Sequence, residues 1–83
     1  MESSLFIRLS VKDEPGVLAK IAGAFGENSV SIESVIQEGR GNTAELVIIT
    51  HDAKERDLSV SVETIQSFSV IDDIASIIRV YSD

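Results

Sequence analysis

Asp13-Glu14-Pro15-Gly16-Val17-Leu18 joins a strand to a helix. Upstream, Leu5-Phe6-Ile7-Arg8-Leu9-Ser10-Val11 alternates apolar and more polar residues over its second half. Downstream, Val17, Leu18, Ile21, Ala22 and Phe25 recur at helical spacing on one face. Pro15 suits a first helical position, where the missing N–H is not needed and φ is already near helical values. Gly16 lets another molecule approach the backbone closely. A helix start of this kind, with free N–H groups and no side chain in the way, attracts carboxylates and other small anions. The bland reading of the same residues is a tight turn and nothing more.

Working outward, the first strand covers about Leu5 to Val11, with Leu5, Ile7, Leu9 and Val11 on one face. The first helix runs from about Pro15 to Glu27, and Asn28 is expected to take the left-handed conformation at its end. Val30 to Gln37 reads as a second strand with Val30, Ile32, Ser34 and Ile36 inward. Gly39-Arg40-Gly41-Asn42 is a hairpin turn rich in residues that accept positive φ. Thr43 to Thr50 forms a third strand, apolar on both faces through Leu46-Val47-Ile48-Ile49, as in a central strand or one whose outer face meets another subunit. Asp52 and Glu55 have the spacing of a capping box, and Leu58, Val62 and Ile65 mark the buried face of a helix ending near Ser67. Val70 and Ile71 lie in the connection, and a last strand covers about Ala75 to Tyr81.

The order βαββαβ is that of an α+β, ferredoxin-like fold: a four-stranded antiparallel sheet with both helices on one face. The right-handed crossover rule gives the strand order 4-1-3-2. Leu9, Ile21, Phe25, Ile48, Val62 and Ile65 are expected to meet in the core. The opposite face, with Phe6, Val35, Val47, Ile49 and Ile77, is too apolar for free solvent, and a dimer that buries it or an edge is the natural solution.

Composition narrows the function. Residues 1–83 make one domain, and a chain this small buries only roughly 60% of its unfolded surface, a shortage that oligomerisation relieves. Seven basic residues against 14 acidic ones give a net charge of −7, which argues against nucleic acid or an anionic membrane surface as partner. With no cysteine there is no thiol nucleophile or thiolate metal site. No apolar run approaches the ~18 residues of a membrane span. Met1-Glu2-Ser3-Ser4 lacks the basic and apolar regions of a secretory signal, so a cytoplasmic protein is expected. The strands begin and end almost at the termini, as in a domain cut from a longer chain.

No catalytic set emerges. His51, the only histidine, has no serine placed beside it and no companion ligands at metal spacing, so neither a catalytic residue nor a metal or cofactor site is expected. Gly39-Arg40-Gly41 is turn chemistry, too short for a phosphate loop. What remains is the Asp13–Leu18 loop and the start of the second strand, Ser31-Ile32-Glu33, which this topology is expected to place at one end of the sheet. The N–H groups of Gly16, Val17 and Leu18 suit a carboxylate, and Asp13 suits an ammonium, the two charges of an amino acid. The alternative reading of Asp13 is a helix cap and nothing more.

Asp13-Glu14-Pro15-Gly16-Val17-Leu18-Ala19-Lys20-Ile21 followed by Val30-Ser31-Ile32-Glu33-Ser34-Val35-Ile36-Gln37 resembles the ACT domain, a small regulatory module of amino-acid metabolism. With Gly39-Arg40-Gly41, then Leu46-Val47-Ile48-Ile49-Thr50-His51 and the closing Ser76-Ile77-Ile78-Arg79-Val80, the chain resembles the C-terminal ACT domain of bacterial homoserine dehydrogenases. This part of the resemblance implies a domain from the C-terminal end of a longer enzyme. The resemblance implies a non-catalytic effector-binding domain of an NAD(P)-dependent oxidoreductase, sensing threonine and joining copies of the chain. It also implies a ligand held between Asp13, Gly16, Val17 and Leu18 of one copy and Ser31 and Ile32 of its neighbour. A purely structural dimerisation module is the alternative. Where the family often has Gly after the helix, this chain has Ser29.

Overall fold

The computed structural model describes residues 2–81. Its elements are β1 (Glu2–Lys12), α1 (Val17–Glu27), β2 (Ile32–Arg40), β3 (Thr43–Thr50), β4 (Ala53–Lys54), α2 (Glu55–Gln66) and β5 (Ile71–Tyr81). The long strands lie in the antiparallel order β2-β3-β1-β5, the expected order with the last strand as β5. Ser3 pairs with Ala53 on one side and Tyr81 on the other, so β4 continues the line of β3 along β1. Where β3 has ended and β4 has not begun, the buried Thr50 hydroxyl accepts the Leu5 N–H at 2.9 Å and closes the gap in the ladder.

Both helices cover one face. Val17, Ile21, Ala24 and Phe25 of α1 and Leu58, Val62 and Ile65 of α2 pack on Leu5, Ile7, Leu9, Val11, Leu46 and Ile48. These follow the helical and alternating periods of the sequence, and every core residue named in advance is buried. Ser61 is buried within α2 because its hydroxyl donates to the Asp57 carbonyl at 2.8 Å.

Several local expectations are corrected. Helix α1 starts at Val17, because Gly16 sits at φ 84° as its N-cap and Pro15 belongs to the turn before it. At its other end Asn28 stays at φ −104° and donates its side-chain amide to the Ala24 carbonyl, while Ser29 takes the positive φ, 63°. Asp52 is not the N-cap of α2: Lys54 is, because Ala53 and Lys54 are held extended against β1. Glu55 turns instead to Arg79 on β5, whose Nε donates to both carboxylate oxygens at 2.8 Å. Strand β5 begins at Ile71, four residues before the expected Ala75, since it pairs with β1 as far as Val11.

The largest correction concerns the sheet faces. The register of β2 on β3 shifts between Ile32 and Ser34, and that of β5 on β1 shifts between Arg8 and Leu9. A bulge adds one residue and reverses the alternation beyond it. Ile32 therefore faces the helices opposite Thr50, but Val35 then falls opposite buried Ile48, and Ser34 and Ile36 turn outward. Likewise Ile77 lies opposite Ile7 on the helix side, and Ile78 lies opposite Phe6 on the other. The outer face thus carries Phe6, Ile36, Val47, Ile49, Ile78 and Val80, with Ile36 62% and Ile78 52% exposed. Its apolar character stands, but Val35 and Ile77 are not members. Among the described residues no helix is long and apolar enough to cross a membrane.

Candidate functional site

The turn from β1 into α1 opens a cleft of about 270 Å³, walled by Asp13, Gly16, Val17, Leu18 and Ala19 and floored by Val11, Ala44 and Leu46. That is close to the lower limit for small-molecule pockets, roughly 300 Å³. The turn is fixed by backbone bonds: the Asp13 N–H donates to the Asn42 carbonyl at 3.0 Å and the Glu14 N–H to the Lys12 carbonyl at 3.0 Å. Gly41 at φ 68° supplies the hairpin turn that brings Asn42 there.

The start of α1 carries no side-chain cap. Asp13 lies beside it without capping it, so the reading of Asp13 as a mere helix cap is set aside. Of the first-turn donors, the Val17 N–H goes to the Glu14 carbonyl at 3.3 Å. The N–H groups of Leu18 and Ala19 have no backbone acceptor among the described residues, as helix geometry requires. Of the expected donors Gly16, Val17 and Leu18, only Val17 is engaged by a backbone carbonyl, and Ala19 joins the others in lining the cleft. Gly16 at φ 84° leaves open space where a side chain would stand, with no atom within 4 Å of a built Cβ. The carboxylate of Asp13 reaches across toward β2, its Oδ2 3.8 Å from a Cβ built on Gly39. On its far side a wider hollow of about 530 Å³ runs past Asn42, Thr43 and Asp72.

Gln37 also lines the cleft, and sequence reasoning missed it. Simple alternation from Ile32 puts Gln37 outward; the bulge turns it inward opposite Leu46. No signal short of the register shift identifies it.

Ser31 and Ile32 are not at this end of the sheet. The cleft lies where β1 ends and β3 begins, with Lys12 paired to Thr43; Ile32 pairs with Thr50, at the other end of β3. Eight strand residues separate the ends, roughly 25 Å at about 3.4 Å per residue. One chain cannot bring the two sets together, because α1 must run the length of the sheet before β2 can start. At the Ser31 end the His51 N–H donates to the Ser31 carbonyl at 2.9 Å. The exposed His51 imidazole has its Nδ1 3.7 Å from Oε2 of Glu33.

The family model for the ACT domain matches residues 6–70, from β1 through both helices to the turn before β5. The chain belongs to the ACT domain family. A homoserine dehydrogenase of Corynebacterium glutamicum is 40% identical over 75 residues, 90% of this ACT domain and 17% of that enzyme. Another from Neisseria gonorrhoeae is 37% identical over 82 residues, 96% of the domain and 19% of the enzyme. The solved homoserine dehydrogenase of Thiobacillus denitrificans superposes with a TM-score of 0.84 over 95% of the domain and 17% of its own chain, at 23% identity, which shows the shared fold. The ACT domain thus spans less than a fifth of the length of the curated relatives it matches.

Proposed function

We infer that this ACT domain is the amino-acid-binding regulatory module of a homoserine dehydrogenase, with threonine as effector. One observation carries the reading: two helix N–H groups with no backbone acceptor among the described residues, and an aspartate that does not cap the helix, line the same small cleft. The α-carboxylate of an amino acid accepts from the Leu18 and Ala19 N–H groups, where the helix dipole also favours negative charge. Its ammonium pairs with Asp13. The homology to homoserine dehydrogenases supports an effector of the same biosynthetic chemistry.

The separation of the half-sites supports a second copy in the assembly. Strand β2 is an edge strand, and its far end borders the cleft through Gln37. Pairing two β2 edges antiparallel carries Ser31 and Ile32 of one copy toward the cleft of the other, as C2 symmetry requires for both sites at once. Threonine that binds the paired arrangement better than the separate one shifts the equilibrium toward it, and that shift is what the parent enzyme reads.

Titration calorimetry of the 83-residue chain with threonine, serine, isoleucine, lysine and methionine tests this. Threonine is expected to bind with one site per chain, and Asp13→Asn to weaken it while leaving the far-UV spectrum unchanged. Absence of heat and of thermal stabilisation with every amino acid at millimolar concentration overturns the reading. The exposed outer face with Ile36, Ile78 and Val80 favours the second reading, a dimerisation module without ligand. That module shows concentration-dependent stability and no response to any amino acid.

A further inference from the structure

We propose that Gln37 recognises the side chain of the effector, and that it selects a small amino acid carrying a hydroxyl there. The proposal rests on the amino-acid-binding reading above and adds to it the group that sets specificity. The lining of the cleft is of two kinds. Lys12, Asp13 and Glu14 carry full charges, and with the uncapped start of α1 they match the charged ends that every amino acid has. Val11, Ala44 and Leu46 form an apolar floor. Among the described residues that line the cleft, Gln37 alone has a neutral side chain able to form a hydrogen bond.

Its place in the sheet gives packing no use for that amide. Beyond the bulge, Val35, Gln37 and Gly39 stand in turn opposite Ile48, Leu46 and Ala44 on the helix side of β2. Position 37 faces the buried Leu46, where an apolar residue would serve the core better. Strand β2 is an edge, Gln37 is exposed, and its amide has no hydrogen-bond partner among the described residues. Gly39 brings Asp13 close: a Cβ built on it lies 3.8 Å from Asp13 Oδ2. Residues two apart on a strand share a face at a spacing of about 7 Å. Gln37 therefore stands one such step from the point where Asp13 reaches β2. That span suits an ammonium on Asp13 and a hydroxyl on the β-carbon at Gln37, each joined by a hydrogen bond of about 2.9 Å.

The rest of the cleft cannot make this selection. Threonine and valine present the same ammonium and carboxylate to the charged residues. An apolar floor discriminates poorly between isosteres, whereas a group that hydrogen-bonds a hydroxyl loses its partner when a methyl replaces it. The Gln37 amide turns either its oxygen or its NH2 to the hydroxyl, and Ala44 and Leu46 take the methyl of threonine.

Titration calorimetry of the 83-residue chain with threonine and with valine tests this. The wild-type chain is expected to bind threonine roughly three- to tenfold more tightly than valine. Gln37→Met keeps the length of the side chain and removes its polar atoms. Threonine affinity then falls by that factor, valine affinity holds or rises, and the preference disappears. Gln37→Glu keeps an acceptor; its charge alters both affinities in parallel, so the preference for threonine survives. Both variants keep the wild-type far-UV spectrum and urea midpoint, since the position is exposed on an edge strand.

An unchanged preference for threonine in Gln37→Met overturns the proposal, as does an equal loss for both ligands there. Loss of the preference in Gln37→Glu does the same. A wild-type chain that binds threonine and valine equally well overturns this proposal and leaves the amino-acid-binding reading standing. If the wild-type chain binds no amino acid, the reading under Proposed function falls and this one with it.

Discussion

Replacing Ser29 by glycine is expected to stabilise the domain, and replacing its neighbour Asn28 by glycine to destabilise it. Ser29 is the only described non-glycine residue with positive φ, at 63°. An L-residue in that region costs about 1–2 kcal/mol from the approach of Cβ to the following carbonyl. Glycine removes that cost but adds about 0.4–1 kcal/mol of unfolded-chain entropy. The difference is a net gain of about 0.5–1 kcal/mol, which for a chain this short raises Tm by roughly 2–8 °C. Asn28 is the opposite case. Its φ of −104° offers no strain to relieve, and glycine there forfeits the 2.8 Å bond from the side-chain amide to the Ala24 carbonyl. A loss of about 1–2 kcal/mol is expected. Urea unfolding followed by far-UV circular dichroism measures both, with equal m values required for the comparison. Glycine at 28 raising the midpoint while glycine at 29 lowers it would refute the assignment of the left-handed residue. So would two variants of the same sign.

Phe25→Ala removes an α1 ring that is fully buried in the core and is expected to cost about 3–5 kcal/mol, much of what a domain of this size has; thermal melts should show a chain largely unfolded at 37 °C. The two hydrogen bonds from Arg79 to Glu55, with the Arg79 charge and the Ser59 hydroxyl, outweigh desolvation and hold the Glu55 carboxyl below its ordinary value. A depressed carboxylate stabilises the fold above the ordinary carboxylate range, and that contribution is lost as pH falls through the lowered value. Arg79→Gln should therefore lower the urea midpoint near neutrality and converge on wild type in acid; a gap that widens on acidification sinks the assignment. Ile78→Lys lies on the outer face, 52% exposed, and should leave the dilute chain within about 0.5 kcal/mol of wild type. A loss of several kcal/mol, measured in the same urea series, would mean that this face is covered.

Much of this fold is legible in the residues themselves. The alternation Leu5-Ile7-Leu9-Val11 and the helical spacing of Val17, Ile21 and Phe25 place those side chains in the core without reference to anything distant, and all are buried. Gly41-Asn42 marks its hairpin because positive φ is a local demand. The errors lie where a distant partner decides. Asp52 and Glu55 carry a capping signal, but Ala53 and Lys54 are drawn extended by pairing with Ser3 and Glu2, and Glu55 by Arg79, far along the chain. Val35 and Ile36 exchange faces because β2 gains a residue against β3, which only the pairing of the two strands reveals. Gln37 enters the cleft for the same reason.

The sequence by itself determined the element types, the order of the sheet, the apolar core and the loop at Asp13 to Leu18. Each follows from periodicity, turn chemistry or chain connectivity, which act over a few residues or obey a fixed handedness. Only the tertiary structure decided that the start of α1 is left uncapped, that Gln37 turns into the cleft, and that Ser31 and Ile32 stand at the opposite end of the sheet. Those depend on strand register and on the distance a helix must cover before the chain can return. A ligand that touches both ends of the sheet has to meet two copies of the chain.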